Sequence, residues 1–171
     1  MAIAIETRSD CTRCAALCCI AFPSETMEGF AASKERGEAC PRLRPDGSCS
    51  IYDRRKEEGF AGCIGFECFG AGQYVTQLHG GNSEWRADPE LLARMVDSFL
   101  DIRRAFELLW LAGHAKQSAS TDNAHGTAHA IEESLREIIE HRDQGGELRD
   151  LAAVENDLRD LLVRERRDRQ G

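Results

Sequence analysis

The sequence predicts a mainly α-helical protein in two parts: a small cysteine-rich, metal-stabilised region followed by a three-helix segment. Three observations carry that expectation. All eight cysteines lie in the first 68 of 171 residues. The same stretch is rich in glycine, proline and turn signals and weak in periodicity, while the rest of the chain repeats its apolar residues at helical spacing. The implied organisation is a cysteine-rich region over 1–75, a glycine-containing linker over 76–87 and a helical region over 88–171.

The first region opens on CTRCAALCC, which places Cys11, Cys14, Cys18 and Cys19 within nine residues. Ala15, Ala16 and Leu17 favour a helix here, and Pro23 marks a stop. At about 100° per residue, Cys11, Cys14 and Cys18 would share an arc of about 60°, and Cys19 would fall off that face. The adjacent pair is therefore expected to serve different sites, or different metals of one cluster. Further ligands would come from Cys40, Cys49, Cys63 and Cys68, with Gly47, Gly62 and Gly70 close by to allow sharp turns. PDGS at 45–48 reads as a tight reversal. A segment with so few large apolar side chains needs a staple, and a metal suits a reducing compartment better than disulfides do. Eight thiols suit two four-cysteine zinc sites, or one iron–sulfur cluster with a second site. Spacing does not choose between the metals.

In the helical region, Asp88 is the expected N-cap and Pro89 the first helical residue. Leu91, Met95, Phe99, Ile102, Phe106 and Leu109 then mark one face of a helix over about 88–113. A second helix is expected over about 127–142, with Ile131, Leu135, Ile138 and Ile139 inward, broken by Gly145 and Gly146. A third runs over about 147–167, with Leu148, Leu151, Leu158, Leu161 and Leu162 on one side. The polar stretch from Gln117 to Gly126 is expected to be a mobile loop.

Composition excludes several functions. The formal net charge is −8 with scattered Lys and Arg, which disfavours non-specific nucleic-acid or anionic-membrane binding. The basic RERRDR stretch (Arg164 to Arg169) is interrupted by Glu165 and Asp168. No run approaches the roughly 20 apolar residues of a membrane span. MAIAIETRSD lacks the charged start and apolar run of a secretory signal, so the expected location is cytoplasmic.

The order CxxC-x3-CC, CPRL, DGSCSIYDRR and C-x4-C resembles the small bacterial family named for its CxxCxxCC motif, described as a zinc- or iron-chelating domain. The matching positions include Cys40, Leu43, Cys49, Ile51, Tyr52, Cys63 and Cys68. The first motif departs from the family, with three residues between Cys14 and Cys18 instead of two. The cysteine-rich N-terminal part of some actinobacterial pentapeptide-repeat proteins is similar over roughly residues 9–112, including GFAGCIGFECFGAGQYVTQ (59–77) and FELLW (106–110). The repeats themselves are absent, with only an isolated NDLRD at 156–160, so no function of a repeat helix transfers. The broader resemblance implies metal binding. Its occurrence in flagellin lysine N-methylase-like proteins implies that the metal could be an iron–sulfur cluster, without supplying a methyl-donor site here.

Other features have plain readings. FGAGQ (69–73) lacks the third glycine of a dinucleotide fingerprint. His125 and His129 stand four apart at the edge of a polar loop and read as solvated, and His79, His114 and His141 carry no motif. Trp85 and Trp110 read as packing residues. No local catalytic motif is present. The sequence thus points to a cytosolic protein with an eight-cysteine zinc or iron–sulfur centre, whose helices pack on it or meet a protein partner. The alternatives are a redox-responsive switch working through a metal–thiolate centre, and an iron–sulfur enzyme or accessory subunit.

Overall fold

The apolar spacing of the second half folds as helix, and no β-strand forms among the described residues. The computed structural model describes residues 3–24, 29–81, 85–143 and 151–170. Its helices are α1 (Cys18–Ala21), α2 (Gly62–Gly65), α3 (Ala71–Leu78), α4 (Pro89–Gln117), α5 (Asp122–Asp143) and α6 (Leu151–Asp168), with 3-10 turns at Cys11–Arg13 and Tyr52–Arg54. The chain divides into two units, residues 1–101 and 102–171, with the boundary inside α4. None of these helices is long and apolar enough to cross a membrane.

The first unit is mostly turns laid over a small core of Leu17, Ile20, Ile51, Phe60, Tyr74, Val75, Trp85, Met95 and Phe99. Phe22 packs edge-on against both Phe66 and Phe99, with centroids 5.2 and 5.9 Å apart, the orientation favoured by the ring quadrupoles. With no ladder to satisfy it, the backbone closes locally. Gly37 N donates to Ile20 O at 3.0 Å, Ser24 N to Lys34 O at 3.0 Å and Gly62 N to Gly29 O at 3.0 Å. The PDGS reversal forms as expected: Gly47 N donates to Arg44 O at 3.0 Å, and Ser48 N to Asp46 Oδ1 at 2.9 Å.

Asp88 caps α4 as its position predicts, its Oδ1 accepting Leu91 N at 2.9 Å. The α4 face continues past Gly113 to Gln117. A mid-helix glycine costs about 1 kcal/mol, and the buried Ala112 and Ala115 on either side of it keep the helix going.

In the second unit Ile102, Phe106 and Leu109 of α4 are buried, as are Ile131, Leu135 and Ile139 of α5 and Leu158 and Leu161 of α6. Charged side chains tie its edges. Lys116 and Arg136 both reach Glu132, and Arg104 reaches Glu155. Glu165 is only 7% exposed, and its carboxylate accepts Ser120 N at 3.0 Å and Ser120 Oγ at 2.9 Å.

Two expectations change here. Residues 122–126 are not loop: α5 begins at Asp122, because Thr121 caps it through Ala124 N at 3.1 Å and accepts His125 N at 3.0 Å. Leu162, expected inward, is 39% exposed, since the buried row on α6 runs through Leu158, Leu161 and Glu165. The expected helical start at 147, inward Leu148 and the Gly145–Gly146 break lie outside the described residues. Replacing Leu135 with Ala should destabilise the protein in urea by about 2–5 kcal/mol. Leu162→Ala should stay within about 0.5 kcal/mol.

Candidate metal centre

The opening cysteine segment is not one helix, and this is a correction to its expected geometry. Cys11–Arg13 forms a single 3-10 turn, capped by Asp10 through Thr12 N at 3.0 Å. Cys14 is extended at φ −114°. Ala16 then takes a left-handed φ of 59° before α1 starts at Cys18. The cause is tertiary: Ala15 N donates across the unit to Thr76 Oγ1 of α3 at 2.9 Å, instead of to a helical carbonyl. Cys11, Cys14 and Cys18 therefore do not share a helical face.

The break has a local consequence. The bent Cys14–Leu17 segment turns the Leu17 and Ala16 amides, with the Thr76 hydroxyl, toward the Cys14 sulfur. The only left-handed non-glycine residues among those described are Ala16 and Phe69. Each follows a cysteine within two positions, and such conformations cost about 1–3 kcal/mol unless the surroundings impose them.

Helix α3 supplies the floor. A Cβ on Gly72 would lie 2.8 Å from Cys14 Sγ and 3.7 Å from Cys68 Sγ, so both sulfurs converge on a surface that only glycine leaves open. Gly70, at φ +90°, starts α3, and a side chain there would meet Glu6 O at 1.9 Å. Ser9 Oγ lies 2.9 Å from Cys68 Sγ and also reaches Glu67. Gln73, only 3% exposed, accepts Asp10 N at 2.6 Å and donates to Arg8 O at 2.9 Å. The N-terminal segment is thereby tied along α3.

A second group forms around Cys40. Cys40 N donates to Cys19 O at 3.0 Å, and Leu43 N to Cys40 O at 2.9 Å. Leu43 pairs with Cys49 in an isolated antiparallel bridge, which returns Cys49 to the CPRL turn. The Arg42 amide donates to the Cys40 sulfur. Arg55 reaches Cys63 O at 3.5 Å. Lys34, 7% exposed, is anchored by its ammonium on Ile20 O at 3.0 Å, with Phe22 O beside it. Burial lowers its pKa, and the Cys40 and Cys19 sulfurs oppose that shift.

All eight cysteines are free thiols; Cys11 is exposed and the others half-buried. Burial pushes the Cys14 thiol up to about 11, against the pull of its amide donors. Burial also raises Cys63 to about 11, helped by Cys19 and Cys40. The adjacent pair is linked: the neighbouring Cys19 thiol, with burial, holds Cys18 well above a free thiol. The Cys18 thiol in turn, with the Lys34 and Arg55 cations, brings Cys19 down to about 7 against the effect of burial. As the side chains stand, no three His, Cys, Asp or Glu groups among the described residues are gathered closely enough to hold a metal ion. His125 and His129 lie on the exposed face of α5.

Sequence reasoning missed Ser9, Lys34, Arg55, Gln73 and Thr76. No local motif marks them: Ser9, Gln73 and Thr76 act across about sixty residues, Lys34 across fourteen, and Arg55 on Tyr52 and Cys63.

Comparison with known proteins gives one partial likeness. The chain is 39% identical over 105 residues to the uncharacterized protein YybG of Bacillus subtilis (strain 168), a match covering 61% of this chain and 38% of YybG. No family model matches the chain, and no solved structure does so significantly.

Two outcomes test the geometry. Gly72→Ala should displace the Cys14 sulfur and cost about 1–3 kcal/mol in thermal or urea unfolding. In metal-free protein, modification by iodoacetamide should rise through its midpoint near pH 7 at Cys19 and stay slow toward pH 11 at Cys14 and Cys63, because the thiolate is the nucleophile. Identical pH profiles at all eight sulfurs, measured by peptide mass spectrometry, would contradict it.

Proposed function

We propose that this is a cytoplasmic metal-binding protein whose eight cysteines hold zinc or an iron–sulfur centre. The observation that carries the reading is a set of eight free thiols confined to one unit, with the Cys14 and Cys68 sulfurs converging over Gly72. Neighbouring backbone amides pull the Cys14 and Cys40 thiols down against the effect of burial, which favours thiolate over thiol. Such donors also orient and tune thiolate ligands. The donor set itself, free thiols without a disulfide, suits zinc or iron–sulfur chemistry.

Closing these sulfurs onto a metal requires rotation of cysteine side chains, each governed by a single staggered torsion. It also requires loss of the thiol protons, so metal binding should release protons and strengthen as pH rises. Bound metal would supply the cross-link that the small apolar core of the first unit does not.

The resemblance to the CxxCxxCC-type chelating family supports the same reading. YybG contributes similarity without a known activity. The helical unit is assigned to packing or to a protein partner, and Leu162 and Val163 of α6, 39% and 44% exposed, are its apolar surface positions.

Protein purified without oxygen should carry zinc, or iron with a brown absorption band, in stoichiometric amount by elemental analysis. Stripping that metal should lower stability by about 3 kcal/mol or more, while most of the helical circular dichroism remains. Well-folded protein that contains neither metal, and takes up neither, would defeat the reading.

A further inference from the structure

We infer that Gln73 and Thr76 of α3 are positioning residues: they seat the N-terminal segment on α3 and so set where Cys11 and Cys14 meet an incoming metal ion. This rests on the metal-binding reading and adds two side chains that govern it without being ligands themselves.

Both side chains are buried, Gln73 at 3% and Thr76 at 1% exposed. A buried amide or hydroxyl is costly unless its hydrogen bonds are made. Here they are made largely on main-chain atoms of the distant N-terminal segment. Gln73 Oε1 accepts Asp10 N at 2.6 Å, and its Nε2 donates to Arg8 O at 2.9 Å. Thr76 Oγ1 accepts Ala15 N at 2.9 Å and donates to Gly72 O at 2.8 Å. Asp10 immediately precedes Cys11, and Ala15 immediately follows Cys14. The two accepted amides therefore bracket the cysteines, one on each side.

The bracket belongs to one side of α3. Residues 72 and 73 each neighbour residue 76 on the helix surface, at spacings of four and three. Gly72 leaves the space that the Cys14 sulfur occupies, 2.8 Å from where a Cβ would stand. Every bond of this seat joins protein atoms, so the seat does not depend on metal. It presents Cys11 and Cys14 with their backbone already fixed. Preorganisation of this kind strengthens binding by removing an ordering cost.

Cys40 and Cys49 are held by other means. Leu43 N donates to Cys40 O at 2.9 Å, Arg44 N to Ser48 O at 2.8 Å and Ser50 N to Arg42 O at 2.8 Å, so this turn closes on itself. The side-chain hydrogen bonds of Gln73 and Thr76 among the described residues go to the N-terminal segment and to Gly72, and none reaches the turn. Loss of either side chain should therefore loosen the segment that carries Cys11 and Cys14 and spare Cys40 and Cys49. General destabilisation does not produce that pattern.

The test uses the full chain, reduced and metal-free, and follows iodoacetamide labelling of each sulfur and amide hydrogen exchange by mass spectrometry. Thr76→Val keeps the shape and removes the acceptor. It should speed both Cys14 labelling and exchange of the Ala15 amide about tenfold, with Cys40 and Cys49 labelled at native rates. Gln73→Met keeps the length and removes both bonds, and should speed exchange of the Asp10 amide in the same way. Thr76→Ser keeps the hydroxyl and should behave as the native chain. Titration with zinc ion against a competing chelator should then show binding about tenfold weaker in Thr76→Val and native in Thr76→Ser. Native exchange and Cys14 labelling in both Thr76→Val and Gln73→Met, or an equal rise at all eight sulfurs, would overturn the positioning role. Faster labelling with unchanged zinc affinity would overturn it too. A native chain that takes up neither zinc nor iron would defeat the metal-binding reading and leave the seat, read from labelling and exchange, standing.

Discussion

The first unit depends on how closely the cysteine-bearing N-terminal segment lies against α3. Thr76 accepts Ala15 N, Gln73 bridges Asp10 and Arg8, and Gly72 leaves room for two sulfurs. Each contact uses a polar or absent side chain on a face that a soluble helix would otherwise fill with aliphatic groups. The buried polar atoms are matched, which avoids the penalty of unsatisfied groups. Close approach in turn forces Ala16 into the left-handed region and directs amides at the Cys14 sulfur. The strain and the sulfur environment share one cause.

The second unit works differently. Its stability comes from three amphipathic helical stretches burying Phe106, Leu109, Leu135, Ile139, Leu158 and Leu161. The Glu165–Ser120 contact ties α6 to the turn that precedes α5. Such a unit tolerates local irregularity, as Gly113 and Gly126 within its helices show. The cysteine-bearing unit has less apolar burial to draw on, and its order rests on specific hydrogen bonds between loops.

This difference explains what could be read in advance. The α4 face was legible residue by residue from Met95 to Leu109, because helical periodicity is a local property and the core only had to accept it. The Asp88 cap and the PDGS turn were legible for the same reason. The start of α5 was not, since a Thr121 cap outweighed a polar composition that resembles loop. Leu162 was misplaced because α6 has several leucines within one broad arc, and only the neighbouring helices choose which of them are buried. CTRCAALCC had helical composition, yet the amide of Ala15 found a partner sixty-one residues away.

The sequence alone determined that the protein is mainly helical, that its cysteines are confined to one region, and that all eight are candidates for one kind of chemistry. Those are matters of residue identity and short-range spacing. The tertiary structure decided which sulfurs are neighbours, which carry amide donors and which stand beside Lys34 and Arg55. Cys14 meets Cys68, and Cys19 meets Cys40, through contacts that close loops of more than twenty residues. No periodicity within a single segment records where such loops close.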